Sequence, residues 1–306
     1  MQRDLTRRSE YGTFSRVIDM KNKFKGTASL LLATVIWGSA FVAQSVGMDK
    51  LGPFTFQAIR CLLAVIVLSG IVLVKSPALF RNRSLWRAGF LCGAALFAAS
   101  SLQQMGLQHT DAGKAGFLTA MYIVLVPVLG FFLGKKPPKT TLLSVILAVV
   151  GLYLLSCVGV TQINVGDLLL IGCAIAFTIQ ITLIDQLAPG LNGLALNCVQ
   201  CLVCGLLSLP FLFLEGPSFG DITAAWLPLC YAGVLSLGVA YSLQIVGQKN
   251  LEPATASVLM SLESVFAALA GWLILQETMT GYEITGCVLL FAAVIISQFP
   301  VSNRHS

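Results

Sequence analysis

The chain is 306 residues long, 57% of them hydrophobic and only 10% charged, with a mean hydropathy of +0.86 and a formal net charge of +6. A soluble domain carries roughly 25% charged residues, so the composition excludes a water-soluble enzyme or nucleic-acid-binding domain and describes a polytopic, all-α membrane protein. The nine cysteines all fall in or at the edge of apolar runs and read as small buried hydrophobes rather than a disulfide framework.

Residues 1–26 form a basic tail with Arg3, Arg7, Arg8, Arg16, Lys21, Lys23 and Lys25. Many equally apolar runs follow the first one, so that run reads as a retained helix rather than a cleaved signal. Ten apolar segments are predicted, at 27–47, 53–74, 86–107, 113–133, 140–158, 166–185, 193–214, 224–247, 253–276 and 281–299. Each is about long enough to cross a hydrocarbon core about 30 Å thick with some tilt. Gly, Pro, Asn, Asp or Lys cluster in the short links, and residues 300–306 form a second short tail.

Ten spans put both termini on one side of the membrane. With the tail in the cytoplasm, the basic residues of the 75–87 and 135–139 links, Lys249 and Arg304 are cytoplasmic too, leaving Lys50 and Lys114 opposite. The positive-inside rule therefore favours cytoplasmic termini.

A shift of 140 residues superposes Trp86 on Trp226, Gly93 on Gly233, Gln104 on Gln244 and Gln108 on Gln248. The same shift sets Trp37 opposite Phe177, Gln57 opposite Asn197 and Arg60 opposite Gln200; with one inserted residue, Tyr122 faces Glu263. The chain divides into two repeats, 27–158 and 164–299. Five spans in each give the two halves inverted topology, an arrangement recurrent in transporters.

The run SLESVFAALAGWLILQE at 261–277, the early Trp37, Gly38, Ser39, Phe41 pattern and the turn from Pro53 through Phe56 to Arg60 resemble the EamA family of the drug/metabolite transporter superfamily. The resemblance covers about 29–299 as two EamA repeats. It implies an inner-membrane carrier of small metabolites, often an exporter of amino acids or related compounds, working by alternating access. It also implies that spans one to four and six to nine surround a central cavity, with spans five and ten at the periphery. Two positions depart from the pattern: Ser264 stands where the family usually has Pro after the acid of span nine, and Lys135 follows Gly134 where the first repeat often has Gly-Glu.

Glu263 is the sharpest candidate. Counted from Pro253 at the start of span nine, it lies ~15 Å deep, close to the bilayer midplane. A carboxylate there binds a cationic group or carries a proton, or else forms an interhelical hydrogen bond or ion pair that holds the bundle together. Arg60, ~10 Å below the outer surface, could hold a substrate carboxylate, pair with Glu263 or snorkel outward. Gln57, Gln104, Asn197, Gln200, Tyr241 and Gln244 are polar groups in apolar spans, candidates for a wet cavity wall or for interhelical glue. Trp37 and Tyr122 could supply aromatic walls for a small-molecule site.

Cys198, Cys201 and Cys204 lie within one span without a nearby fourth ligand, so no metal site is expected. The GKKPPKT stretch at 134–140 is not a phosphate-cradling loop, and the two histidines lie outside the spans. No enzyme chemistry, cofactor or nucleic-acid partner is expected. The reading is a secondary transporter of a small-molecule substrate in the cell membrane, with proton coupling and a homodimer as further expectations. The alternative is a membrane receptor or assembly subunit whose buried polar residues are structural.

Overall fold

The computed structural model describes residues 2–110, 112–135, 137–156, 158, 164–274 and 278–298. Lys136, Cys157, Glu277 and the 300–306 tail lie outside the described residues. Within them all regular structure is helical: α1 (Gln2–Met48), α2 (Pro53–Lys75), a 3-10 turn (Pro77–Arg81), α3 (Arg83–Leu107), α4 (Ala112–Ala120), α5 (Tyr122–Phe132), α6 (Lys139–Ser156) and α7 (Val165–Leu187). The second half continues with α8 (Gly193–Glu215), α9 (Phe219–Ala224), α10 (Trp226–Cys230), a π-helical stretch (Tyr231–Ala240), α11 (Tyr241–Gln248), α12 (Pro253–Met260), α13 (Leu262–Ile274) and α14 (Gly281–Gln298). The tail expected ahead of residue 27 is helical from Gln2 and continuous with the first span.

Among the described residues nine helical stretches are long and apolar enough to cross a membrane, and Lys139–Leu155 is a shorter apolar helix at the place of the fifth span. Spans four, eight and nine are composite, formed by α4–α5, α10–π–α11 and α12–α13. The ends follow from local sequence. Pro53 occupies the first turn of α2, where a missing N–H costs nothing. Asn164 and Asp167 close a capping box on α7, and Asn192 accepts from Ala195 N at the start of α8. Gly216, with φ 58°, ends α8 in a left-handed turn.

Packing reveals a two-fold relation between the halves. Span two packs on span seven and span five on span ten, each pair mapping onto itself when the halves are exchanged. Span three on span six is mirrored by span eight on span one, and span four on span six by span nine on span one. With an odd number of spans per half, the halves run in opposite senses. Glutamate 215 at the end of span seven reinforces the central pair by accepting from Phe54 N at 3.0 Å and Thr55 N at 2.7 Å, capping span two.

Glycines mark the matched contacts. A Cβ on Gly93 would sit 2.7 Å from both Gln200 O and Val203 Cβ, and one on Gly233 would sit 2.8 Å from both Arg60 O and Leu63 Cβ. The partners are themselves 140 residues apart. Gly89 joins the Gly93 contact, packing on Val199. Gly130 and Gly134, spaced four apart like Gly89 and Gly93, differ: Gly130 meets only Lys135 Cβ at 3.9 Å, and Gly134 has open space and φ 80°. It turns the chain after span four rather than admitting a neighbouring helix.

Spans four and nine are each interrupted by one residue in mid-span, Met121 and Ser261. Span nine therefore breaks without the proline that Ser264 replaces. Two ion pairs tie span four to span six at opposite ends: Lys114 to Asp167 at 2.6 Å, and Lys135 to Asp185.

Candidate functional site

A cavity of about 40 Å³ lies between the halves. Span one contributes Trp37, Phe41 and Gln44, positions that share one helical face. Arg60 and Gln103 complete the contribution of the first half; Phe177, Ser236, Leu237, Tyr241, Gln244, Met260 and Glu263 come from the second. A water needs about 10–15 Å³ measured this way, so the cavity in this conformation holds a few waters' worth of space.

Tyr122 is the first residue of α5 and Glu263 the second of α13, the second segments of the two interrupted spans, and Tyr122 OH donates to Glu263 Oε1 at 3.1 Å. The repeat counterparts thus meet at mid-molecule. Glu263 is 7% exposed and Arg60 3%. Among the described residues neither forms an ion pair, although both border the same cavity.

Arg60 is surrounded by neutral amides. Its Nε donates to Gln57 Oε1 at 2.9 Å and its Nη1 to Gln44 Oε1 at 2.7 Å; Nη2 also reaches Gln57. Gln104, with its amide oxygen turned to the guanidinium, accepts from Nη1 at 3.2 Å and Nη2 at 3.3 Å. Amide dipoles offset the cost of removing a cation from water without cancelling its charge, so the positive potential persists at the cavity wall. Gln57 is anchored in turn by Nε2 donating to Cys204 Sγ at 2.8 Å.

Of the sequence candidates, Trp37, Arg60, Tyr241, Gln244 and Glu263 line the cavity, and Tyr122 touches it through Glu263. Trp37 and Tyr241 pack edge to face with ring centres 5.0 Å apart. The Trp37 Nε1 and Gln244 Oε1 atoms are buried without a hydrogen-bond partner in the protein, leaving one donor and one acceptor in lining residues unused. Gln57 and Gln104 stand behind the wall as supports of Arg60. Asn197 and Gln200 lie off the cavity and bond to each other at 2.8 Å.

Two features escaped the sequence reading. Gln44 follows Trp37 by seven residues, a spacing that already places it on the same face. Gln103, rather than Gln104, is the cavity residue of span three and the true counterpart of Gln244. The pairing of Gln104 with Gln244, and of Gln108 with Gln248, is off by one: Gly106 packs on Leu170 and Gly166 as Gly247 packs on Leu30 and Gly26, and Gly106 and Gly247 are 141 residues apart although their partners are 140 apart.

The profile of the EamA-like transporter family matches residues 24–157 and 164–299, one repeat in each half of this arrangement. The chain belongs to the EamA-like transporter family. An uncharacterized transporter of Archaeoglobus fulgidus is 33% identical over 89% of this chain and 85% of its own length. The threonine/homoserine exporter RhtA of Salmonella typhimurium is 31% identical over 56% of this chain and 59% of its own. A solved crystal structure superposes with a TM-score of 0.77 at 17% identity, over 89% of this chain and 96% of the other, which bears on the fold alone. This EamA chain is accordingly a multi-pass membrane transporter with a lipid-bilayer setting and a small-molecule substrate.

Proposed function

We propose that the chain is a secondary transporter in the cell membrane that exports a small zwitterionic metabolite, an amino acid or a related compound, by alternating access. The observation that carries this reading is the pair of buried opposite charges that border one cavity without neutralising each other. Glu263 would receive the substrate ammonium group, and Arg60 the carboxylate through its forked donors. Trp37 Nε1 and Gln244 Oε1 would supply the remaining polar contacts. The name of RhtA, a relative over about half the chain, agrees with this class of substrate.

The cavity is too small for an amino acid in this conformation, so loading requires the halves to separate. The interruptions at Met121 and Ser261 provide places for spans four and nine to bend. Both termini face the cytoplasm in this reading. Among the described residues Glu263 is the one carboxylate on the cavity wall, and it would exchange a proton for substrate.

The test is a metabolite-wide efflux comparison between cells with and without the protein, followed by purified protein in vesicles. Amino acids are expected to leave faster with the protein present, and an imposed pH gradient is expected to drive their movement. Efflux confined to compounds lacking either an amine or a carboxylate would reject the zwitterion site. Transport indifferent to the gradient would reject proton coupling.

A further inference from the structure

The eighth span differs from its repeat counterpart in backbone form. Span three is one α-helix, whereas span eight contains the π-helical stretch Tyr231–Ala240, in which Tyr241 N donates to Ser236 O five residues back. The glycines locate an extra residue there. Gly93 and Gly233 occupy matched contacts 140 apart, Gly106 and Gly247 occupy matched contacts 141 apart, and the π-helical stretch lies largely between Gly233 and Gly247 of span eight. An added residue in an α-helix would turn everything after it by 100°. The wide turns absorb it, so both ends of span eight keep the packing of span three, and Gln103 and Gln244 both reach the cavity.

The local consequence falls on the wall. Ser236 and Leu237 line the cavity, while their counterparts Ala95, Leu96 and Phe97 on span three do not. Asn197 holds the widened turn: its Nδ2 lies 2.8 Å from Leu237 O, 3.0 Å from Gly238 O and 2.9 Å from Ser242 Oγ. The amide of Asn197 is fixed from behind, its Oδ1 accepting from Gln200 Nε2. The two polar residues of span seven therefore serve the backbone of span eight, whereas their counterparts Gln57 and Arg60 serve the cavity.

We propose that the extra residue in span eight is a size filter: it carries Ser236 and Leu237 into the wall beside Tyr241 and Gln244, so that the cavity admits zwitterions with short side chains and rejects long or aromatic ones. This rests on the zwitterion reading above. The filter acts on one half of the cavity only, because span three has no equivalent turn. Asn197 is a positioning residue for it.

The experiment compares three variants in vesicles with radiolabelled threonine and phenylalanine: deletion of Leu235, Leu237→Ala, and Leu96→Ala as the repeat-matched control. A leucine side chain in an apolar pocket is worth about 10–200-fold in discrimination per methylene-scale change. Deletion of Leu235 and Leu237→Ala are each expected to move the kcat/KM ratio toward phenylalanine by about tenfold or more. Leu96→Ala is expected to leave the ratio unchanged. An unchanged ratio in Leu237→Ala, or an equal shift in Leu96→Ala, would overturn the filter.

A second measurement is independent of substrate. In a cysteine-free background carrying Gln244→Cys, water-soluble thiol reagents of small and bulky size are compared. The bulky reagent is expected to gain on the small one when Leu235 is deleted or Leu237 is shortened, with the small reagent's rate retained. Loss of all reactivity at position 244 after the deletion would show that the residue sets register rather than size, and would overturn the proposal. If no amino acid is carried by the unaltered protein, the zwitterion reading falls, and the reagent ratio alone decides whether the filter exists.

Discussion

Glu263 and Arg60 are each expensive to bury, and they differ in how the surrounding residues meet that cost. The guanidinium has a shell of three glutamine side chains, Gln44, Gln57 and Gln104. Among the described residues the carboxylate has one hydrogen bond, from Tyr122, which a substrate group would replace in the proposed reading. A charge-assisted hydrogen bond contributes about 1.5–3 kcal/mol, or about 10–100-fold in affinity. Glu263→Gln, which keeps an acceptor for Tyr122, is expected to lower zwitterion affinity by about that factor and to remove the response to a pH gradient, with the melting temperature little changed. Arg60→Met is expected to weaken binding similarly and to abolish discrimination between an amino acid and its carboxamide, measured by competition in vesicles. Equal discrimination in the two proteins would separate Arg60 from the substrate carboxylate. The buried, mid-span place of Glu263 and Arg60 was legible in the sequence because each is a charge inside an apolar run. The shell of Arg60 was only half legible, since Gln57 lies one helical turn away but Gln44 and Gln104 come from other spans.

At the scale of the helices, the glycine contacts are where the halves lock. Gly233→Ala would drive a Cβ to 2.8 Å from Arg60 O and Leu63 Cβ, and overpacking of this kind costs about 1–3 kcal/mol. The variant is expected to melt earlier and, because the contact is the backbone of Arg60, to lose substrate affinity as well. Gly134→Ala makes a useful contrast, as its site is open and only its φ of 80° resists a side chain. Gly134→Ala is expected to lower stability by about 1 kcal/mol without altering affinity. The positions of the spans could be read from hydropathy alone, and the repeat from shared tryptophans and glycines. The extra residue of span eight could not. One more apolar residue in an apolar run leaves the hydropathy pattern intact, and the match of Gln104 with Gln244 concealed it by offering a plausible but shifted partner.

For the molecule as a whole, alternating access requires the two ends of the cavity to open in turn. Span four is tied to span six at both ends, by Lys114 to Asp167 and by Lys135 to Asp185. These spans would move as one body, together with span three, against the matched body of spans one, eight and nine. Linking residues 114 and 167 as cysteines with a short bifunctional reagent is expected to leave transport intact. A link between residues 116 and 264, across the two bodies, where a Cβ on Gly116 would sit 3.7 Å from Ser264 Oγ, is expected to arrest transport, with activity returning when a cleavable linker is cut. Arrest by the first link would refute the grouping.

The asymmetry of Tyr122 and Glu263 has one more implication. Had the same architecture been assembled from two separate copies of a single repeat, every residue on the cavity wall would occur twice, and the interior would show a substrate the same face from either side. Joining the repeats in one polypeptide frees each copy to diverge. The result is a cavity with a basic and an acidic side chain on its wall, which in the zwitterion reading would tell the head of a molecule from its tail and hold it in one orientation.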